Sequence, residues 1–196
     1  MKKRKFPIAL ILGAALLLVS LVLVAITHIR VHTGAKSCGE ILTKMDSLLP
    51  ERSAGVPDTY TITNMPVMEI DGNDYAALLR IPSLDVALPV ADEWNSDKLH
   101  NCPARFWGSA YNGTLVIGGA DSSYQFSFCD KIDNGTTVTV TDMTGVEFNY
   151  TVARVDRSKN AEGEWLRSEE HDLTLFCRDT YSMEYIAVRC SFAGDR

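Results

Sequence analysis

The sequence predicts an all-β domain, a closed or nearly closed barrel with short helical insertions, carried behind one N-terminal membrane helix. Three observations predict it. An uncharged apolar run fills residues 6–27 directly after Lys2, Lys3, Arg4 and Lys5. From Val67 onward, six or more short runs alternate apolar and polar residues with turn-forming residues between them, as strands with one buried face do. A sheet of that many short strands loses its exposed edges by closing on itself. Finally, 196 residues hold one domain of ordinary size plus an anchor rather than two domains.

Residues 1–5 form a basic tail. At ~1.5 Å rise per residue, the run 6–27 spans the ~30 Å hydrocarbon layer. Lys and Arg are concentrated ahead of it, and only Arg30 lies close behind, so the tail is expected in the cytoplasm and the remainder outside, a single-pass arrangement in the cell membrane. A cleaved signal peptide is the competing reading. Its apolar region is normally about 7 to 15 residues with a cleavage site directly after it, whereas His28, Ile29 and Arg30 follow here and only Ala35 after Thr33 mimics such a site. Residues 28–66 read as a juxtamembrane helix and a spacer. Ser37 and Glu40 have capping-box spacing, and Ile41, Leu42, Met45, Leu48 and Leu49 then share one helical face until Pro50. Residues 51–66, rich in Thr, Pro, Asn and Gly, lack sustained periodicity and read as a tether that provides reach.

Residues 67–193 are the barrel domain. Leu79 and Ile81 lead into Pro82, and Leu84, Val86, Leu88 and Val90 then alternate with Ser83, Asp85, Ala87 and Pro89, the proline suiting an edge or a strand end. Leu115, Val116 and Ile117 form a short apolar run of the kind that fills a barrel interior. Val138 and Val140 lead to a turn from Asp142 to Gly145, and Val146, Phe148, Tyr150 and Val152 continue the hairpin. The parity changes at Val155, which requires a bulge or bend near Ala153. Leu173 and Leu175, then Ile186, Val188, Cys190 and Phe192, supply the last two strands.

Composition narrows the function classes. Net charge is −6 and no basic patch occurs outside the first five residues, so there is no phosphate-tracking surface and nucleic acid is not an expected partner. Five cysteines without CxxC spacing argue against a zinc site and against a fully paired disulfide framework. A Cys177–Cys190 bridge requires their strands to pair in the right register. Gly118-Gly119 lacks the spacing of a phosphate-binding loop and reads as close barrel packing. Trp94, Trp107 and Trp165 either line a groove or pack, and packing is the expected role.

The stretch from Asp172 to Cys190 carries the most specific signal. Ahead of it come Leu79-Arg-Ile-Pro-Ser-Leu84, Leu88-Pro-Val90, Pro103-Ala-Arg-Phe-Trp-Gly-Ser109, Leu115-Val-Ile-Gly-Gly119 and the hairpin from Gly135 to Tyr150. In order and spacing these segments resemble the sortases, the membrane-anchored cysteine transpeptidases of bacterial surfaces. The resemblance covers roughly residues 79–192 and implies the eight-stranded sortase-like barrel. It also implies a chemistry. A cysteine thiolate attacks a backbone carbonyl of a sorting-signal peptide, a histidine moves protons near neutral pH, and an arginine donates hydrogen bonds to the oxyanion or positions the substrate.

All three positions depart from that pattern. The family strand reads roughly Leu-Thr-Leu-x-Thr-Cys; laid without a gap on Leu173 to Phe176, it puts Cys177 at the threonine and Arg178 at the nucleophile. The family histidine ends a Val-Ile-Ala-Gly-His sequence, where Val116-Ile-Gly-Gly-Ala120 places a methyl group. Tyr185 stands at the arginine position, able to donate one hydrogen bond but without charge or guanidinium fork. Cys177 is the only candidate nucleophile, yet a shift of one residue turns it to the opposite strand face unless a bulge intervenes. Of the four histidines, His28 and His32 lie beside the membrane, and His171 is ~20 Å from Cys177 at ~3.3 Å per residue. His100, in the loop before Pro103, is the remaining, remote candidate base.

The expected function is therefore a membrane-anchored, sortase-like surface protein without catalysis. It would bind a sorting-signal peptide, a surface or pilus protein, or an active sortase. A divergent transpeptidase using Cys177 and a purely structural surface domain are the alternatives. No cofactor or metal is expected. The calcium site of some sortases cannot be placed from the spacing of Asp121, Asp130, Asp133 and Asp142.

Overall fold

The computed structural model describes residues 8–50, 53–54, 64–95, 101–160, 163–167 and 170–194. Runs rich in Val, Ile, Leu, Thr and aromatic residues, punctuated by glycines in positive φ such as Gly135 and Gly145, build one ten-stranded sheet. Eight of its strands close: β3 (Asn73–Ile81), β4 (Val86–Ala91), β5 (Ala104–Trp107), β6 (Leu115–Gly118), β7 (Thr137–Asp142), β8 (Val146–Ser158), β9 (Leu173–Arg178) and β10 (Tyr185–Phe192). Their spatial order is β3, β4, β5, β6, β9, β10, β8, β7 and back to β3. Within the barrel only β4 with β5 and β6 with β9 run parallel. Two short strands lie outside it: β1 (Ser53–Ala54) runs parallel to β8, and β2 (Met68–Ile70) pairs with the start of β3.

Alternation sorts the side chains. Leu115 and Ile117 of β6, Leu175 of β9 and Val188 of β10 fill the barrel, while Val116, Phe176 and Ala187 face outward into a separate cluster. The parity change in β8 is a bulge at Ala153: Arg154 pairs with Arg189, and the next pair joins Val152 with Cys190. Asp142 ties the β7–β8 turn, its buried carboxylate accepting from the Thr144 and Val146 amides at 2.8 and 2.9 Å and from the Tyr111 hydroxyl. Pro89 sits where β4 is paired on one side only, because β4 touches β5 at the single pair Ala91 and Ala104.

Three expectations are corrected. Leu84 is not part of a strand: Pro82–Leu84 is a 3-10 turn that ends with Asp85 at φ 52°, and Leu84 is exposed. Cys177 pairs with Ile186 and Cys190 with Leu173, which separates the two cysteines by ~13 Å along the sheet at ~3.3 Å per residue, beyond any disulfide. The juxtamembrane helix is not separate from the apolar run either. One helix, α1 (Ile8–Leu48), continues through Ser37, since Gly34 and Gly39 cost only ~1 kcal/mol each and propagation is favourable once a helix exists.

The C-terminal part of α1 docks on the barrel. Met45, with Ile41, Leu42 and Leu49, packs against Tyr75, Leu78 and Ala91, and the ion pairs Lys44–Asp71 (2.5 Å) and Arg80–Asp46 (2.6 Å) flank the contact. This cover explains why β3 reads Tyr-Ala-Ala-Leu-Leu without alternation: both of its faces are buried. The apolar run thus continues to the barrel surface as a packed helix. Of the segment expected to act as a tether, residues 51–52 and 55–63 lie outside the described residues, while Ser53–Ala54 is held as β1. Earlier in α1, Leu10, Leu17, Leu21, Val24 and Ile29 are exposed, on a stretch long and apolar enough to cross a membrane.

Candidate functional site

Register brings three distant segments to one end of the sheet. β6 runs parallel to β9 with Gly118 beside Phe176, and the Gly119 amide donates to the Phe176 carbonyl at 2.9 Å. Two residues beyond that pair stand Ala120, past the end of β6, and Arg178, the last residue of β9. On the other side of β9, Arg178 is paired with Tyr185. Asp121 fastens the segments, its carboxylate accepting from the Thr180 amide at 3.0 Å and hydroxyl at 2.6 Å. Tyr185 thus stands beside Arg178, and Asp121, the residue after Ala120, is tied to Thr180, two residues after Arg178.

Arg178 is exposed, donates from Nε to the Met183 carbonyl at 3.2 Å, and has its guanidinium carbon 5.5 Å from the centre of the Tyr185 ring. The loop after it is braced by Asp179, whose Oδ1 accepts from the Tyr181 amide at 2.7 Å and the Ser182 amide at 3.2 Å. Those amides hold its carboxyl below the usual carboxylate range. The same loop holds Met183 at φ 61°, a conformation uncommon outside glycine and asparagine, and leaves Tyr181 97% exposed.

Cys177 points the other way. It is 2% exposed within the barrel core, and its thiol donates to the Phe126 carbonyl at 3.7 Å. A cavity of about 240 Å³, rimmed by Asp121, Ser127, Asp130, Lys131, Asp179 and Tyr181, reaches down to it. None of the three described histidines lines that cavity. His171 precedes the opposite end of β9, the His28 and His32 rings lie 4.9 Å apart and tilted by 33° on α1, and His100 lies outside the described residues.

The outer face beside these positions is covered by the chain's own aromatic residues. Trp94 lies on Phe176 (centroids 5.3 Å, 28°) and edge-on to Phe106 (5.3 Å, 88°). It rests directly on Gly118, where a β-carbon would come within 2.0 Å of its ring. Gly119 faces inward, and a β-carbon there would meet the Phe126 ring at 2.7 Å. Both glycines thus serve close approach of aromatic rings, one outside the barrel and one within. Next to Trp94, the short helix α2 (Gly163–Leu166) lays Leu166 on Val116, Phe176 and Ala187.

Residues 79–189 match the family model of the sortase domain. The chain belongs to the sortase family. Solved sortases share its fold: sortase C1 of Streptococcus agalactiae is 20% identical, with a TM-score of 0.55 over 65% of this chain and 72% of that one. Sortase A of Corynebacterium diphtheriae is 15% identical, with a TM-score of 0.55 over 84% and 85%. The Clostridium perfringens sortase D5 transpeptidase is 20% identical, with a TM-score of 0.51 over 60% and 78%. No curated protein matches the chain.

What keeps α2 on this sortase barrel is Arg189, a residue that sequence reading passed over. It is 1% exposed on the outward parity of β10, and it donates to the carbonyls of Trp165 (2.5 Å) and Leu166 (3.2 Å), to the Thr174 hydroxyl (3.0 Å) and to Asp156 (3.2 Å). The signal was present in the sequence: an arginine between Val188 and Cys190 in a strand without other charges must find buried partners. Trp107, 47% exposed, carries the Arg167 guanidinium 3.9 Å above its ring. Among the described residues, no three His, Cys, Asp or Glu side chains gather to hold a metal ion.

His171, although remote from the site, makes stability depend on pH. Both ring nitrogens are buried without a partner, and burial, aided by Arg154 and Arg189, lowers its pKa from the ordinary 6.5. A base with a depressed folded pKa contributes stability above its unfolded value that is lost as pH falls toward the folded one. The melting midpoint should therefore decline below about pH 6.5, and the His171→Gln variant should lose most of that slope in thermal melts between pH 7.5 and 5.0.

Proposed function

We propose that this sortase-family protein is anchored in the membrane, carries out no transpeptidation, and works by binding, with Arg178 receiving a carboxylate of a peptide or protein where the family nucleophile stands. The observation that supports it is the alternation on β9, which turns Cys177 into the core and Arg178 toward solvent, with Tyr185 paired beside it. Acyl transfer needs a thiolate and a base within hydrogen-bond reach. On the exposed side, the described residues supply a guanidinium, a methyl group and a phenol. A guanidinium fork binds carboxylates well and abstracts no protons.

The anchoring supports a role in assembling surface proteins. In this reading residues 6–27 cross the bilayer with the N-terminus inside, and α1 continues from Arg30 to the docked Cys38 in eight residues, ~12 Å at ~1.5 Å each. The barrel then stands close to the membrane at a set height. Suitable partners are a sorting-signal peptide, a surface or pilus protein still held in the membrane, or an active sortase.

One observation favours a second reading, a divergent transpeptidase: the cavity that reaches Cys177. Both are tested on the full chain in detergent micelles with fluorescent sorting-signal peptides and a thiol-reactive vinyl sulfone. Binding without cleavage, weakened about 10-fold or more by Arg178→Ala, is the expected result, a charged hydrogen bond being worth ~1.5–3 kcal/mol. Cleavage that disappears in Cys177→Ala would establish the enzyme instead. Absence of any binding would leave a structural domain.

A further inference from the structure

We propose that Cys129 and Cys177 are a covalent modification site, closing to a disulfide inside the barrel when the protein meets an oxidised low-molecular-weight disulfide. The two residues meet over one backbone atom. The Cys129 amide donates to the Phe126 carbonyl at 3.0 Å, and the Cys177 thiol donates to the same oxygen at 3.7 Å. Both side chains are buried in the same barrel core. Cys190 faces the same core, but from a position opposite Leu173, well down the strand from Cys177.

Access decides the order of events. The cavity between Asp121, Asp130, Asp179 and Tyr181 reaches Cys177, whereas Cys129 is fully enclosed. The Cys177 thiolate attacks one sulfur of the oxidant, forming a mixed disulfide and releasing one small thiol. The Cys129 thiolate then attacks the Cys177 sulfur and releases the second small thiol. Two protein thiols give up two electrons and two protons, and the oxidant's sulfur–sulfur bond takes up the electrons. Burial pushes the Cys129 thiol up, so the second step is slow at neutral pH and quickens as pH rises. An oxidising compartment outside the membrane is where such a bridge persists.

The test uses the full chain in detergent micelles with oxidised glutathione at pH 6.5 and pH 8.5, followed by intact mass and peptide mapping without reductant. The expected result is a loss of about two mass units per bridge and a linked peptide pair containing Cys129 and Cys177. The bridge should form about 10-fold faster or more at the higher pH. It closes a loop of roughly 50 residues and should raise the melting midpoint by about 5–10 °C, reversibly with dithiothreitol. Cys190→Ala should keep the bridge, and Cys129→Ala should accumulate glutathione on Cys177. A stable glutathione adduct on Cys177 in the unaltered chain, a bridge from Cys129 to another cysteine, or no reaction in the folded chain when the unfolded chain oxidises, would each overturn the proposal. The unaltered chain decides alone if the variants do not fold. The outcome is independent of whether Arg178 binds a carboxylate.

Discussion

The triple variant Ala120→His, Arg178→Cys, Tyr185→Arg is expected to cleave sorting-signal peptides at least ~10²-fold faster than the unaltered chain, the lower end of what a positioned acid–base group contributes. Register, not chemistry alone, supports this. Ala120 follows the Gly118–Phe176 pair of the parallel strands β6 and β9 by two residues, as Arg178 does on β9, and Tyr185 is paired with Arg178 across β9–β10. A sulfur at 178 replaces an exposed side chain, so it meets a peptide from outside the barrel, which Cys177 at 2% exposure cannot. The single variant Arg178→Cys should react with iodoacetamide far faster than any thiol of the unaltered chain, because all five native cysteines are buried. Peptide cleavage and alkylation rates, read together, check the placement. Fast alkylation without cleavage would locate the failure in the groove, where Trp94 lies over Gly118. Slow alkylation would show that position 178 does not face solvent.

Arg189→Met should destabilise the protein by about 3–5 kcal/mol, the range for removing one partner of a buried ionic network. Methionine matches the length but donates nothing. Asp156, the Trp165 and Leu166 carbonyls and the Thr174 hydroxyl all lose a donor. In a chain of this size that corresponds to a fall in melting midpoint of ~10 °C. Burial pulls the guanidinium pKa down while Asp156 opposes the shift, so the group stays charged and its loss is felt at every ordinary pH. The loss should also release α2 locally. Tryptic cleavage at Arg157 and Arg167, on either side of α2, should accelerate more than cleavage at Lys131 in the turn before β7. Arg189→Lys should restore only part of the midpoint, since an ammonium cannot reach four partners in the planar geometry that a guanidinium spans. A midpoint unchanged in Arg189→Met would mean that α2 is held by its apolar contacts alone.

The sequence was legible where a residue's role depends on its near neighbours. The apolar run before residue 28, the Asp142 turn and the parity change at Ala153 all express local periodicity or turn chemistry, and each appears in the structure. Reading failed where cover from elsewhere decides. Leu84 fits the alternation of a strand, but Pro82 and Asp85 bend the chain around it. β3 shows no alternation because α1 covers its outer face. Ser37 carries a start signal that the preceding helix overrides by simply continuing.

For the candidate site the division is similar. Where the resemblance places the family histidine and arginine, the sequence reads Ala120 and Tyr185, and a motif is a local property of the chain. Only closure of the barrel decided that Tyr185 stands beside Arg178, that Cys177 and Cys129 meet at the Phe126 carbonyl, and that Arg189 clamps α2. The physical reason is that side-chain alternation is set within a strand by backbone geometry, whereas which strands become neighbours, and in what register, is set by burying the whole core at once.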